Sequence, residues 1–304
     1  MAINFEDVLG NFEQRKRAVG AMNLEDDVFF TVVMKDLKVS SYLLSVLFNE
    51  KITVVENKTQ YDIRNLLGRS VRLDLLARDE RNRFFNVEMQ IIDEHNLERR
   101  MRENLALMDC DFLEKGGDVN NLPETYCVFI TRFNSFNDCE IVHRVDQIIN
   151  GDSNRIYNDG LHRIYFNTAV KDGSLLSDML QYIRHSTAGC HDFGALSQAV
   201  DYYKTTPKGV DTMSENMREL IMIGEQRGIM IGEKRGIEIG EKRGIEIGEK
   251  RGITIGEQRG ELKTKVNAVD AMVTNGIELE RALNILGLDR EAYEEYTRMT
   301  YKTG

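Results

Sequence analysis

Hydrophobic periodicity in the first third of the chain predicts helices followed by strands. Apolar residues recur at helical spacing between Asn23 and Glu50, and this pattern predicts two helices with a break near Lys38. Residues 51–63, KITVVENKTQYDI, alternate between apolar and polar side chains and are rich in β-branched residues, which predicts a strand. A β-hairpin over residues 71–91 is predicted to follow.

The middle third continues this alternation of elements. Residues 93–114 have helical periodicity, residues 124–133 form an apolar run typical of a buried strand, and residues 161–169 predict another strand. A further helix is predicted over residues 175–185. This order of elements predicts a mixed α/β fold with a central sheet.

The hairpin register determines which side chains share a face. A turn centred on Arg81 pairs residues whose numbers add to about 162, so that Leu75 lies opposite Val87 and Asp74 lies opposite Glu88. Side chains alternate between the two faces of a strand. The predicted core face therefore consists of Val71, Leu73, Leu75, Ala77, Phe85, Val87, Met89 and Ile91.

The opposition of Asp74 and Glu88 needs a physical explanation. Directly opposed residues have Cβ atoms about 5 Å apart, and like charges at that distance destabilise the pair. Three arrangements would relieve the repulsion: a divalent cation such as Mg²⁺ held by both carboxylates, a proton shared between them, or a solvated face on which Arg72 screens both acids.

A repeat of eight residues, G-E-(K/Q)-R-G-I-x-I, occupies residues 224–260 and places glycine at every fourth position. Ten glycines in one helix would cost roughly 10 kcal/mol relative to alanine. The repeat is therefore either a charged extension, helical or disordered, or a helix that pairs with a second copy of the chain in a homo-oligomer. Its I-x-I spacing also permits a strand. The predicted domains are residues 1–215, the repeat extension over 216–261 and a small helical appendage over 262–304.

Composition narrows the class of protein. The chain has 304 residues and a formal net charge of −10, which argues against a general nucleic-acid coat protein. None of the four cysteines forms a C-x-x-C pair, so neither a zinc ribbon nor a disulfide framework is predicted. No apolar run is long enough to span a membrane, and a cytoplasmic protein is expected.

The hairpin and the segments around it resemble a known nuclease class. The motif D-x(13)-E-x-Q in RSVRLDLLARDERNRFFNVEMQ is similar to that of the PD-(D/E)XK nuclease superfamily. The ordered segments YDIRNLLGRSVRLDLLARD, LERRMRENLALMDCDFLEKGGDVNNLPETYCVFI and IYFNT resemble the recombination-promoting nuclease (Rpn) family of transposases. The resemblance covers roughly residues 20–215. It implies a restriction-endonuclease-like αβββαβ core and Mg²⁺-dependent hydrolysis of DNA phosphodiesters.

The resemblance assigns roles to the acidic pair and its neighbours. Asp74 and Glu88 match the two metal-binding acids, for Mg²⁺ or alternatively Mn²⁺, and the backbone carbonyl of Met89 is expected as a third ligand. Gln90 stands where the superfamily usually has lysine. Glutamine can orient a water molecule by hydrogen bonds but supplies no charge.

Two further assignments concern helices. A carboxylate from the first helix often assists in this superfamily, and Asp27, or its neighbour Asp26, is the candidate. Arg100 and Arg102 match a basic pair in the helix after the hairpin and are expected to contact DNA phosphates.

The expected function is a Mg²⁺-dependent DNA endonuclease linked to recombination, mobile elements or defence against foreign DNA. The missing lysine and the acidic net charge leave an alternative open, in which a chemically weak nuclease fold binds DNA or assembles through its repeat. Strand transfer by a transposase is a third possibility, and no sequence feature separates it from plain hydrolysis.

Overall fold

The computed structural model describes residues 10–64, 70–113, 116–150 and 155–301, so residues 65–69 of the family-like segment lie outside the described residues. Two compact units divide the chain, one over residues 1–223 and one over residues 224–304. No helix in the described ranges is both long enough and apolar enough to cross a membrane.

Helices and strands alternate along the first unit largely as the hydrophobic pattern predicts. In chain order its elements are α1 (Phe12–Gly20), α2 (Asp27–Val33), α3 (Leu37–Phe48), β1 (Val54–Arg64), β2 (Ser70–Asp79), β3 (Phe84–Gln90), α4 (Leu97–Phe112), a short 3₁₀ helix (Val119–Asn121), β4 (Thr125–Thr131), β5 (Val142–Val145), β6 (Leu161–Asn167), α5 (Leu175–Arg184) and α6 (Gly194–Thr205). A long helix, α7 (Pro207–Thr274), follows, and the second unit ends with α8 (Leu279–Leu286) and α9 (Arg290–Tyr301).

The strands that the structure describes form one mixed sheet in the order β1-β2-β3-β4-β6-β5. Strands β1, β2 and β3 are antiparallel neighbours, whereas β3, β4 and β6 run parallel. The predicted α/β fold with a mixed central sheet is therefore confirmed. The hydrophobic pattern did not predict β5, which has only four residues, VHRV, two of them polar, and pairs antiparallel with β6 at the sheet edge.

The larger core lies on the face of the sheet that α1, α2, α3, α5 and α6 cover. Phe29 of α2 and Leu43 of α3 are fully buried there with Phe85 and Val87 of β3 and Val128 of β4. Burial of large apolar side chains of this kind contributes about 1.5–3 kcal/mol each. This core therefore anchors β3, the central strand that carries Glu88.

Helix α4 covers the opposite face. Met101 and Leu105 lie in one apolar cluster with residues of β4, and Leu107 and Met108 lie in another with residues of β1 and β2. α4 begins at Leu97, four residues later than the periodicity indicates. Both faces of the central strands are consequently buried, including the face that carries the polar residues of the hairpin.

The predicted hairpin register is confirmed, because Leu75 pairs with Val87 and Ala77 pairs with Phe85. Three members of the predicted core face are wrong. Ile91 lies beyond the end of β3 and is exposed, and Val71 and Leu73 pack in the apolar cluster under α4 rather than in the larger core.

Candidate metal centre

The acidic pair lies where the hydrogen-bond ladder between β2 and β3 ends. Backbone pairing extends from Arg78 to Leu75 on β2 and no further towards the start of that strand. Beyond it, the N–H of Met89 donates to Asp74 Oδ2 at 2.9 Å, and the N–H of Asp74 donates to Glu88 Oε1 at 3.3 Å. Each acid therefore accepts a hydrogen bond from the other strand, because a buried backbone N–H needs an acceptor once the ladder has ended.

Burial disfavours the charged form of both carboxyl groups. Glu88 is only 2% exposed, which contradicts a solvated face at this position. Burial first, and then the neighbouring Asp74 carboxylate, raises the pKa of Glu88 well above its usual range. Burial likewise raises the pKa of Asp74 to about 6; the Met89 N–H opposes this rise, and the charge of Asp27 adds to it. A buried carboxylate beside a partly buried one favours either a proton or a cation between them.

Asn86 and Cys127 form the neutral surroundings of Glu88. Both side chains are fully buried, the Asn86 amide hydrogen-bonds with Glu88, and its Nδ2 lies 3.5 Å from Cys127 Sγ. Burial raises the pKa of the Cys127 thiol, so this cysteine is a poor nucleophile. Sequence reasoning assigned no role to Asn86, although it shares the strand face of Glu88 two residues away.

Asp27 approaches the pair from another element. It is the first residue of α2, it remains open to solvent, and its carboxylate accepts a hydrogen bond from the side chain of Gln60 on β1. Partial desolvation raises the pKa of Asp27, and the bond from Gln60 opposes that rise. Helix α2 packs against β2, and Gln60, whose side chain binds Asp27, lies opposite Asp74 in the β1–β2 register, so the two acids are near each other. The charge of Asp27 accordingly adds to the raised pKa of Asp74.

Arg100 and Arg102, the two arginines of α4 with predicted roles, differ in position. The charge of Arg100 lowers the pKa of both Asp74 and Glu88, and its guanidinium lies 3.8 Å from Glu94. Arg102 is exposed, and two residues of an α-helix correspond to a rotation of about 200°, so it points away from the side that Arg100 occupies. The structure therefore brings Arg100, but not Arg102, to the acids.

Gln90 follows Glu88 on the same face of β3 and is only 4% exposed. Its backbone carbonyl accepts a hydrogen bond of 2.9 Å from the N–H of Arg132, which ties this end of β3 to β4. Gln90 adds polarity to the buried face without adding charge. Among the described residues, the positive charge that lowers the pKa of both acids is the guanidinium of Arg100, not a group at position 90.

The donor set fits a hard divalent cation. Within the described ranges Asp74 Oδ1 has no hydrogen-bond donor, which leaves one carboxylate oxygen of the pair unengaged. No group of three or more His, Cys, Asp or Glu side chains able to hold a metal converges in the part of the chain that the structure describes. Mg²⁺ is commonly held by one or two carboxylates, with water and substrate phosphate completing its shell, so two acids suffice.

A mixed sheet with an acidic pair where two central strands separate is the arrangement that a PD-(D/E)XK nuclease fold provides. Residues 35–171 match the family described as "PD-(D/E)XK nuclease family transposase". The resemblance found in the sequence is thereby confirmed. No curated protein and no solved structure matches the chain.

Proposed function

We propose that the chain is a Mg²⁺-dependent nuclease that hydrolyses phosphodiester bonds in DNA, as part of recombination, mobile-element or defence processes. The single observation that supports this function is the meeting of the two carboxylates at the end of the β2–β3 ladder, where Asp74 accepts from the N–H of Met89 and Glu88 accepts from the N–H of Asp74. The match of residues 35–171 to a nuclease family of transposases supports the reaction class.

In this proposal Asp74 and Glu88 hold the cation through their carboxylates. The carbonyl of Met89 joins them, because the N–H and C=O of one strand residue point to the same side and the N–H of Met89 already faces Asp74. Mg²⁺ bound there supplies positive charge at the phosphate and makes a bound water more acidic.

The remaining residues act on water and phosphate directly. The Gln90 amide orients the attacking water by hydrogen bonding, and the Arg100 guanidinium offsets the negative charge of the phosphate. Asp27 adds a carboxylate on the solvent-facing side of the pair. Arg102, which is exposed on another side of α4, is assigned a weaker contact with the DNA backbone.

Conversion of supercoiled plasmid to nicked and linear forms, with Mg²⁺ and with EDTA, tests this function. The wild-type chain is expected to cut only with the metal, with Mn²⁺ as a substitute. Asp74→Ala and Glu88→Gln are each expected to abolish cutting. Asp172→Asn is a matched control, since Asp172 is an exposed acid outside the site. Absence of cutting by the wild type, or equal cutting by Asp74→Ala, would refute the proposal.

A second role, assembly through the repeat, is supported by the exposure of its isoleucines. Eight isoleucines in residues 224–260 are 49–63% exposed on α7, and a Cβ added at any of the ten repeat glycines would meet no neighbouring atom within 4 Å. A helix with this much exposed apolar surface and so little side-chain bulk suits close contact with a partner helix. We propose a second copy of the chain as that partner.

Helix geometry restricts how two repeats can meet. Four residues rotate about 40° beyond one helical turn, so the row of ten glycines winds once around α7 over about 54 Å. Two straight helices can follow such a row only briefly. The copies are therefore proposed to cross at one place, at about 40–50°, rather than lie side by side.

Sedimentation of the full chain and of a variant with alanine at all ten repeat glycines tests the crossing. Alanine is expected to stabilise the helix by about 1 kcal/mol per site while preventing close approach. Loss of the oligomer together with increased helicity supports the proposal. A monomeric wild type, or an oligomer that the alanines do not affect, would refute it.

A further inference from the structure

Gln60 adopts an unusual backbone conformation in the middle of β1. Its φ is +52°, in the left-handed region that residues other than glycine rarely adopt. Thr59 pairs with Leu75 and Tyr61 pairs with Leu73, so Gln60 lies opposite Asp74, the first acid of the candidate metal centre. Such a conformation is strained and is retained where the surrounding structure enforces it.

The side chain of Gln60 connects the metal centre to α2. Its Nε2 donates to Asp27 Oδ1, and its Oε1 accepts from Arg72 Nη1 at 3.3 Å. Arg72 in turn contacts Asp62 Oδ1 through Nε at 3.1 Å. Both ends of the Gln60 amide are thus engaged, which determines the orientation that it imposes on the Asp27 carboxylate.

The side chains of β2 change from one face of the sheet to the other at the position where Gln60 of β1 lies opposite Asp74. Leu75 lies in the larger core, whereas Leu73, two residues earlier on β2, lies in the cluster under α4. Regular alternation would place both leucines on one face. The left-handed residue therefore lies at the point where the side chains of β2 change face, and its own side chain connects this point to Asp27 of α2.

We propose that Gln60 is a positioning residue of the metal centre: it orients the Asp27 carboxylate towards Asp74, and its strained backbone is retained for that purpose. This inference rests on the proposed function, since it assumes that the acids bind a divalent cation. Gln60 itself contacts neither the metal nor the phosphate. Its effect on binding is exerted through Asp27.

Gln60→Gly distinguishes a role of Gln60 in orienting Asp27 from a role in stabilising the fold. Glycine adopts a φ of +52° without strain, so stability in EDTA is expected to be unchanged while the amide is lost. The Mg²⁺ concentration at half-maximal plasmid nicking is expected to rise about tenfold, the effect typical of residues that orient metal ligands. Gln60→Glu keeps the length of the side chain but repels Asp27, and the same rise is expected.

A second readout does not depend on cutting. Mg²⁺ titration by calorimetry is expected to show the same weakening of binding for Gln60→Gly. In an Asp27→Ala background, Gln60→Gly is expected to add no further change, because the two residues act through one contact. Asn82→Gly is the matched control: Asn82 is an exposed residue of the β2–β3 turn with φ +60° and is expected to leave Mg²⁺ binding unchanged.

The outcomes separate this inference from the proposed function. A wild type that cuts, with a Gln60→Gly variant of unchanged Mg²⁺ dependence, overturns the positioning role alone. The same holds if Gln60→Gly lowers the unfolding temperature without affecting Mg²⁺ binding. A wild type that binds Mg²⁺ without cutting refutes only the nuclease function. A wild type that neither binds Mg²⁺ nor cuts overturns both.

Discussion

Asp74→Asn is expected to stabilise the folded chain at neutral pH while it abolishes the candidate activity. The carboxyl of Asp74 has a pKa of about 6 in the folded chain, against 3.8 for the ordinary group. The folded state therefore binds more protons than the unfolded state between these values, and stability falls as the pH rises through about 4 to 6. At pH 7.5 the Asp74 carboxyl is charged in both the folded and the unfolded state, so its burial destabilises the folded chain by the full amount.

The size of the effect follows from that difference in pKa. About two pKa units correspond to about 3 kcal/mol, which is an upper bound because Glu88 shares the same repulsion. Asparagine keeps an oxygen that can accept the N–H of Met89 and removes the charge. For a unit of this size, about 3 kcal/mol corresponds to an increase of about 6–12 °C in unfolding temperature.

Urea unfolding in EDTA at pH 7.5 and at pH 4 provides the measurement. The variant is expected to be the more stable at pH 7.5, with a smaller difference at pH 4. Mg²⁺ is expected to stabilise the wild type, by about 1.4 kcal/mol at ten times its Kd, and to have little effect on the variant. Asp172→Asn is the control, because hydrogen bonding to Ser174 lowers the pKa of Asp172. Its substitution is therefore expected to lower the stability at pH 7.5 rather than raise it. An Asp74→Asn variant that is less stable than the wild type at pH 7.5 would refute the electrostatic reasoning.

Three further predictions concern arginine, lysine and aspartate side chains. Arg100→Ala is expected to reduce plasmid nicking about 100-fold and Arg102→Ala far less, because only Arg100 faces the acids; equal losses would contradict this. Lys204→Met is expected to lower the free energy of unfolding by about 3 kcal/mol in urea titrations, because the buried ammonium donates to three backbone carbonyls. Lys208 is exposed, and Lys208→Met is the control, which is expected to change this free energy by less than about 0.5 kcal/mol. Asp79→Ala is expected to lower the unfolding temperature by an amount equivalent to about 3 kcal/mol, since this buried carboxylate accepts two backbone N–H groups and one guanidinium in the β2–β3 turn; an unchanged temperature would show that the turn forms without it.

The sequence alone determined the local order of elements and the register of the hairpin. Leu75 and Ala77 pair with Val87 and Phe85, and a shift by one residue would have set polar side chains against this apolar set. Asp74 and Glu88 were consequently predicted as a facing pair. The ordered segments were specific enough to indicate the family, which the match over residues 35–171 confirmed.

The surroundings of Asp74 and Glu88 depend on the packing of elements that are distant in the sequence. Burial of Glu88 depends on α4, which packs against a strand face that the hairpin sequence leaves polar. The role of Gln60 depends on a left-handed residue in β1 and on a contact with Asp27, far earlier in the chain. Periodicity is a property of neighbouring residues, whereas desolvation and charge at a site depend on which distant elements pack around it. The elements could therefore be predicted from the sequence, but the raised pKa values and the partners of the acids could not.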